Sequence, residues 1–591
     1  MSIVDQQTHC MSGVHAPAVP APARPVLFVL MTLAISLAIL SAFAHAVQYW
    51  SWVPWVVLPF AFVNALWLSG GAATAILGLI TRNSSREEVD PAWTPHGQTA
   101  ILMTVCGEDV TPLSRYLHEL TRNIDISKLE TSAQVFVLSD TFDDAAITAE
   151  EQTLADLIDT GRITYRRRIV NTGKKPGNIA DWLATHGTAF DFMLVLDADS
   201  RMTVSRITRM VWQLEMKPQV GLLQAGIALV PGQSRFGTHQ RNAQRLLSRN
   251  FGRGFAAWTG DAGNFWGHNA IMRVAAFRTA AKLPVLTGPA PFGGPMLSHD
   301  FIEAAWIKRA GWGVELDPDV SGSAEDAPQT FNDFFKRDRR WCQGNLQHLS
   351  MVASRGFHAV SRFHLISGAM GYLMSPAWFV LLVVWALVGN GEESNVVRYF
   401  AGFNPQVSWP TMSMGNSFAI LGFMYAMLLA PKILGAGAIH RTGMLMRDLG
   451  GPLQFFASLM TEIALSIAYA PILMIQQSIA VMRTTFGMRE AWTPQNRQGG
   501  SYSLWVMLKF HALETTIGIL LIAGMAQGIV TLWLIPIAAS LAAAVPLSAL
   551  SGVNLDSRRW SRRQLGTPEV INAPAIIRSA MAERKRFAAY L

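Results

Sequence analysis

The sequence predicts an α/β domain of Rossmann-like type inserted between transmembrane α-helical segments of a polytopic membrane protein. Three observations predict it. Half of the 591 residues are hydrophobic and only 15% are charged, which is little charge for a soluble chain, and the apolar excess falls on either side of a stretch from about 82 to 362. Within that stretch, apolar runs of strand length alternate with helix-length segments, the βαβα rhythm of a mostly parallel sheet covered on both faces. One of those runs, Phe192 to Leu196, ends on the carboxylates Asp197 and Asp199, where open α/β sheets bind their ligands.

Residues 1–24 are rich in Pro, Ala and Ser and are expected to form a disordered leader. Region 25–81 holds two spans. Val26 to Val47 is long enough to cross a bilayer and has neither the short apolar core nor the cleavage pattern of a signal peptide. Trp50, Trp52 and Trp55 follow at the boundary, where aromatic belts sit. The second span covers about 54–80 and ends at Arg82. Arg24 and the pair Arg82 and Arg86 place both outer ends on the inner side of the membrane.

In the central domain, 82–362, the strands are Ala100–Cys106, Gln134–Leu138, Ile163–Arg168, Phe192–Leu196 and Val220–Gln224. Helices are expected at about 112–123, 149–159, 176–186 and 203–216. An Arg-rich helix follows from Arg235 to Phe255, then the glycine-punctuated run Gly260 to His268. Region 363–552 carries four full spans, at about 365–388, 415–437, 507–526 and 529–551. Glu392 and Glu393 suit the outer side; Arg441, Arg447, Arg483, Arg489 and Arg497 suit the inner side. Between them lies 451–482, apolar but for Glu462 and interrupted by Pro471. With inner charges at both ends it must return to the side it left. It is either a tight pair of short crossings or a segment lying in the interface, giving six or eight spans.

Net charge is +8, much of it in the tail 553–591 as Arg558, Arg559, Arg562, Arg563, Arg584, Lys585 and Arg586. In a membrane-bound chain this is a membrane-surface and topology signal rather than a nucleic-acid arm. Cys10, Cys106 and Cys342 are too far apart for metal-ligand spacing, which points to a reducing compartment and no disulfide framework.

Six constellations carry chemistry. Asp197 and Asp199 could hold a hard divalent cation such as Mg²⁺ (or Mn²⁺); the same Asp–Ser pattern could instead cap the next helix. Asp109, in Cys106-Gly107-Glu108-Asp109, and Asp140, in Leu138-Ser139-Asp140-Thr141, end the first two strands. Each could accept hydrogen bonds from a nucleobase or ribose, or serve ordinary turn chemistry. Lys175, in Gly173-Lys174-Lys175-Pro176-Gly177-Asn178, precedes a helix and suits a diphosphate, though a plain helix start reads the same way. Asp300, in Ser298-His299-Asp300-Phe301-Ile302-Glu303, could act as a general base or only complement a helix N-terminus. His299 has no partner at metal-ligand spacing. Finally, Lys336-Arg337-Asp338-Arg339-Arg340-Trp341-Cys342-Gln343-Gly344 could neutralise a leaving diphosphate and stack Trp341 on a sugar. It could also lie as a basic amphipathic helix on an anionic membrane.

Ordered carboxylates on such a sheet, Asp-x-Asp, a later Asp opening a helix and an Arg-Trp pair beside membrane spans together resemble the processive inverting glycosyltransferases of family 2, the cellulose and hyaluronan synthase type. Arg337-Asp338-Arg339-Arg340-Trp341-Cys342-Gln343-Gly344-Asn345, Ser298-His299-Asp300 and Gly263-Asn264-Phe265-Trp266-Gly267-His268-Asn269 resemble one branch, which builds osmoregulated periplasmic glucans in Gram-negative bacteria. The similarity covers about residues 98–350 and extends to the flanking spans by arrangement. Two departures stand out. Arg337 occupies the place of the Gln that opens the family's Gln-x-x-Arg-Trp, and only the Asp of Thr-Glu-Asp carries over to Ser298-His299-Asp300. The leader is also shorter than that branch's.

The resemblance implies a cytoplasmic glycosyltransferase A-type domain in the bacterial inner membrane and a single inverting displacement on UDP-glucose. Asp109, Asp140, Lys175 and Arg340 would bind the nucleotide sugar, and Asp197 and Asp199 the Mg²⁺ (or Mn²⁺). Asp300 would be the general base, and Trp341 and Trp266 would hold the acceptor. The product would be a β-linked, β-1,2 glucan passed to the periplasm through the C-terminal spans. The implied partners are the growing glucan, membrane lipids and periplasmic glucan-processing proteins, with no nucleic acid. Residues after Thr485, Trp492 among them, would form a loop over the site. A single transfer to a lipid phosphate is the competing enzymatic reading; the Arg-Trp motif joined to several spans favours a polymer channel. A transporter with a nucleotide-sensing domain is the competing reading of another class, and several carboxylate sites along one edge count against it. No residue separates UDP-glucose from UDP-N-acetylglucosamine, so glucose rests on the resemblance.

Overall fold

The computed structural model describes residues 23–46, 52–81, 88–393, 414–488, 502–554 and 566–588, apart from 233, 281–282, 290, 443 and 531. The expectations placed on residues 1–22 and on Val47, Trp50, Arg82, Arg86, Arg489, Trp492, Arg497, Arg558, Arg559, Arg562 and Arg563 lie outside the described residues.

Two apolar helices, α1 (Ala23–Ala46) and α2 (Trp52–Ile80), precede the α/β domain. In that domain β1 (Thr99–Val105), α3 (Thr111–Asp125), β2 (Ala133–Ser139), α4 (Asp144–Asp159), β3 (Thr164–Arg167), α5 (Lys174–Thr185) and β4 (Phe192–Asp197) alternate. Then come β5 (Arg201–Met202), α6 (Val204–Met216), β6 (Val220–Ala225), β7 (Ala228–Leu229), the long α7 (Arg235–Thr259) and β8 (Ala270–Arg273). The domain closes with β9 (Val285–Leu286), β10 (Gly294–Pro295), α8 (Asp300–Arg309), β11 (Gly313–Asp317), β12 (Ser323–Glu325) and α9 (Phe331–Gln347).

The main sheet has seven strands in the order β11-β6-β8-β4-β1-β2-β3. It is mixed: β8 runs antiparallel to both β4 and β6, and every other pairing is parallel. Strand side chains alternate between faces. Ile101, Met103, Leu194 and Leu196 pack against Leu117, Leu154 and Ile207 of α3, α4 and α6. Leu102 and Val195 pack against Trp182 of α5 and Ile302 of α8 on the other face. These strand residues have no exposure, and each contributes about 1.5–3 kcal/mol by burial. The register aligns the carboxyl ends: Thr104 is opposite Asp197, Val105 opposite Ser139, and Ser139 opposite Arg167.

The helix α7 joins this domain to the membrane helices. A Cβ on Gly254 would come within 1.9 Å of the Thr74 carbonyl oxygen, and one on Gly78 within 2.0 Å of the Asn250 carbonyl oxygen. Bare glycines thus let α7 and α2 cross backbone to backbone. Arg253 donates to the Thr81 carbonyl, Arg441 to the Leu79 carbonyl and Arg249 to the Thr442 carbonyl. Cations at carbonyl-rich helix ends are favourable. Gly254→Ala should therefore destabilise the protein by about 2 kcal/mol or more through overpacking, read as a fall in thermal midpoint of the detergent-solubilised chain.

After the domain come α10 (Ala359–Glu393), α11 (Met414–Gly437), α12 (Pro452–Thr485), α13 (Leu504–Phe510), α14 (Ala512–Ala526), α15 (Ile535–Ala542) and α16 (Ala544–Ser551). Among the described residues four helices are long and apolar enough to cross a membrane, α1, α2, α10 and α12, or five if α13 and α14 form one span bent by 69°. Two expectations change. The span expected at 529–551 is two short helices broken at Ala543, with Pro536 in the first turn of α15. Region 451–482 is one continuous helix that absorbs Pro471, so it is not a pair of crossings. The start of α12 adjoins the 3₁₀ turn Met446–Leu449, and its last third packs Ala480 and Val481 against Cys342 and Leu346 of α9. Its C-terminal end therefore meets the α/β domain. The C-terminal helix α17 (Ala575–Ala588) buries Ile576, Ile577 and Ala580 against Val230 and Ala324 of that same domain.

Candidate active site

The aligned carboxyl ends of β1, β2 and β4 form one polar edge. Asp197, the last residue of β4, is ion-paired with Lys175 and accepts from the Thr104 hydroxyl at 3.1 Å. Lys175 also donates to the Gly267 carbonyl at 2.8 Å. Burial pushes the Asp197 carboxyl up, but Lys175, His268 and the Thr104 hydroxyl more than reverse that and hold it at about 2. The cap of α6 is Thr203, which accepts from the Arg206 amide at 3.2 Å, so neither Asp197 nor Asp199 spends its carboxylate on that helix.

Lys175 is presented by a strained turn. Gly173 and the non-glycine Lys174 both have positive φ, 71° and 51°, and the turn feeds α5. A second non-glycine residue in that region, Asn269 at 50°, borders the same edge. Such conformations cost of order 1–3 kcal/mol each and cluster at functional sites.

Asp140 is buried and gripped by Arg168 in two parallel bonds of 2.7 Å each. Arg168 also donates to the carbonyls of Thr172 and Lys174, at 3.0 and 3.1 Å, so it ties the end of β2 to the lysine turn. Asp109 is exposed and accepts from the Thr111 amide at 2.9 Å, opening α3. The Gly107 amide donates to the Thr141 hydroxyl at 2.8 Å, joining the two strand-end loops.

The first turn of α8 faces this edge across Gly267. A Cβ on Gly267 would lie 2.8 Å from an Asp300 carboxylate oxygen, so only glycine lets the two segments approach. His299 Nδ1 stands 3.0 Å from Asp300 and 2.8 Å from the buried Glu303. Burial alone would lower the His299 pKa; Asp300 first and Glu303 second reverse this and hold it at about 10. Burial also raises Asp300, yet His299, Lys175 and His268 together keep it below the usual carboxylate range. His268 sits between Glu325 at 3.1 Å and the Ser200 hydroxyl at 3.2 Å.

The helix α9 completes the arrangement. Burial lowers the Arg337 pKa and the negative charges of Glu325 and Asp199 partly offset this; its guanidinium lies 4.4 Å over the Trp341 ring. Trp341 is 48% exposed and Trp266 38%, so both present apolar faces. Arg340 lies one residue before Trp341 and is half-buried.

The structure thus brings Asp197, Lys175 and Asp300 together with Trp266 on the Gly267 loop and places Asp140 and Asp109 farther along the same edge. Sequence reading missed Arg168, Glu303 and the His268–Glu325 pair. Arg168 could have been noticed as a cation just after β3 beside Asp140, and Glu303 as the i+4 neighbour of His299; nothing local announced the His268–Glu325 pair. The pair Asp197 and Asp199 suits a hard cation by its all-oxygen donors, and Asp197 keeps one carboxylate oxygen beyond its contact with Lys175 and Thr104. Against the expectation that His299 has no partner at metal-ligand spacing, His299, Asp300 and Glu303 hold their ligand atoms within 4.8 Å of one another, because Glu303 lies one helical turn on. There His299 Nδ1 already hydrogen-bonds Glu303 at 2.8 Å and lies 3.0 Å from Asp300.

A seven-stranded mixed sheet of glycosyltransferase A-like form, with cations and carboxylates at its carboxyl edge and apolar helices on both sides in sequence, defines a membrane-associated glycosyltransferase. Residues 192–431 match the model of the glycosyl transferase family group 2. The glucans biosynthesis glucosyltransferase H of Vibrio cholerae is 36% identical over 546 residues, covering 90% of this chain and 75% of the relative. That of Rhodopseudomonas palustris is 36% identical over 496 residues, covering 82% and 68%, and that of Shewanella baltica 35% over 542 residues, covering 90% and 75%. The chain belongs to this glucosyltransferase H family of glucan biosynthesis. Among solved structures, a mannosyltransferase from Pyrobaculum calidifontis in complex with GDP-Man and Mn²⁺ overlaps loosely, at 14% identity and a TM-score of 0.41, over 65% of this chain and 98% of the other.

Proposed function

We propose that the protein transfers glucose from UDP-glucose, with inversion, onto a growing β-linked glucan, β-1,2 in its backbone, and passes the product across the bacterial inner membrane. The observation that carries this reading is the meeting of Asp197, Lys175 and Asp300 at one sheet edge, with Arg337 of α9 within the field of Asp199 and its guanidinium over Trp341.

In this reading the acceptor hydroxyl attacks the anomeric carbon from the face opposite UDP. The new C–O bond forms as the bond to the diphosphate breaks, and the hydroxyl proton passes to Asp300. Asp109 and Asp140 border the uridine, the latter held rigid by Arg168. Lys175 and Arg340 bind the diphosphate by charge. Asp197 and Asp199 would hold Mg²⁺ or Mn²⁺, which supplies charge neutralisation at the departing diphosphate. Trp341 and Trp266 offer stacking faces to the acceptor. The domain and α17 lie on the cytoplasmic side, where the last third of α12 packs on α9. Anionic lipids and periplasmic glucan-processing proteins would be its further partners.

The donor is tested in membrane vesicles offered UDP-glucose and UDP-N-acetylglucosamine separately. Incorporation from UDP-glucose into a product whose methylation analysis gives 1,2-linked residues supports the reading; incorporation from UDP-N-acetylglucosamine alone contradicts it.

The pH dependence follows from His299. Asp300 works as a carboxylate, so activity falls as pH drops through its pKa, and His299 keeps that pKa low. Removing the imidazolium in His299→Gln raises the Asp300 pKa. The acid limb of the kcat/KM profile should move to higher pH, while UDP affinity at pH 8 stays within about two-fold.

A further inference from the structure

The motif helix α9 is held from two sides. Toward the membrane helices, the buried Asp338 accepts from the Tyr372 hydroxyl of α10 at 3.0 Å and from the Gln477 amide of α12 at 3.2 Å. Gln477 in turn accepts from the Ser375 hydroxyl at 2.6 Å. The next residue, Arg339, donates to Gln476 at 2.9 Å and packs 4.9 Å over Phe510. Gln476 donates to Glu514, which also meets His511. His511 reaches Asn332 of α9 at 3.1 Å. Gln476, Glu514, His511 and Asn332 are almost wholly buried.

At its other end α9 holds the segment that carries Asp300. Gln347 accepts from the Leu297 amide at 3.0 Å and donates to the carbonyls of Gly293 and Pro295, at 3.2 and 3.0 Å. His348 contacts the Ser298 carbonyl at 2.7 Å. Gly344 has no room for a Cβ, which would stand 2.4 Å from the Ser298 hydroxyl.

Two successive glutamines of α12 thus take two successive charged residues of α9. Turning α9 by one residue, about 100°, would break both contacts and leave buried polar groups unpaired. The same rotation would carry Arg337, Arg340 and Trp341 away from the sheet edge and drag the Ser298–Asp300 segment with it.

We propose that Gln477, with Gln476 beside it, is a positioning residue for glycosyl transfer: it fixes the rotation of α9 through Asp338 and thereby places Asp300 and Trp341 from a helix of the membrane region. The inference rests on the roles given to Asp300 and Trp341 above. It also supplies a route by which a displacement of α12 reaches the reacting groups.

The test uses the full chain in lipid vesicles, with Gln477→Leu, Tyr372→Phe, and Thr461→Ala as a control at a half-buried position of α12. Two readouts are taken: kcat and UDP affinity, and amide hydrogen exchange of the peptide covering 293–300 without any sugar present. Gln477→Leu and Tyr372→Phe should each lower kcat by about ten-fold or more, since a small misplacement of reacting groups is costly. UDP affinity should fall less than kcat, since Arg340 moves with α9 while Lys175 stays in place, and exchange at 293–300 should quicken. Combined with Asp338→Ala, Gln477→Leu should cost little beyond the single variants, because both act through one contact. Unchanged kcat and unchanged exchange in both variants, or a fall in thermal midpoint with neither readout moved, would overturn the proposal. If Gln477→Leu does not fold, Tyr372→Phe decides alone, since it removes one hydroxyl. If the wild type transfers nothing from UDP-glucose, the donor reading fails, and the exchange data still decide this inference.

Discussion

Replacing Asp300 with Asn should lower glycosyl transfer by about 10³-fold, within the range a positioned general base supplies, and leave UDP binding within about two-fold of wild type. Asn is nearly isosteric, so Gly267, which abuts the Asp300 carboxylate, need not move. Asparagine cannot take the acceptor proton, and it leaves the imidazolium of His299 with Glu303 alone. The fold should survive this: α8 keeps its buried face of Ile302, Ala304, Ala305 and Trp306. Titration with UDP and initial rates from labelled donor check both halves. Loss of UDP binding in parallel with rate would instead place Asp300 in the nucleotide pocket.

The second large effect concerns Asp197 and Asp199. Chelating divalent cations should stop incorporation, with recovery on adding Mg²⁺ or Mn²⁺, and Asp199→Ala should lower the rate by about 10²-fold or more at saturating cation. Several kcal/mol of charge stabilisation at the leaving diphosphate are at stake. Asp197→Ala should be worse for folding than Asp199→Ala, because it leaves the Lys175 ammonium with only the Gly267 carbonyl in a poorly solvated place; a lone buried charge is costly. Full activity in the presence of chelator would remove the cation from the account.

How much of this was legible in the sequence depends on the range of the interaction. The strands β1, β2, β4 and β6 announced themselves because each is a run of buried apolar residues between turn signals. Their parallel alignment then placed Asp109, Asp140 and Asp197 along one edge with no further information. The antiparallel β8 was invisible, since Ala270-Ile271-Met272-Arg273 is four residues long and follows a glycine-rich run that reads as loop. Hydropathy also misjudged 529–551, where apolar composition is uniform but the helix breaks at Ala543. The pairing of Asp140 with Arg168 spans 28 residues, and that of Asp338 with Gln477 spans 139. No local pattern encodes such contacts. The departures from the family motif gained physical content only from the structure: Arg337 lies over Trp341 in the field of Glu325 and Asp199, and His299 stands between two carboxylates.

The measurement that bears most directly on the central claim supplies sealed inner-membrane vesicles of wild type and Asp300→Asn with radiolabelled UDP-glucose and Mg²⁺, and follows the size, linkage and sidedness of the labelled product. The account predicts a water-soluble β-glucan on the side opposite the donor, made by wild type alone. Label that remains with extracted lipid as a single sugar, or equal incorporation by Asp300→Asn, would contradict it.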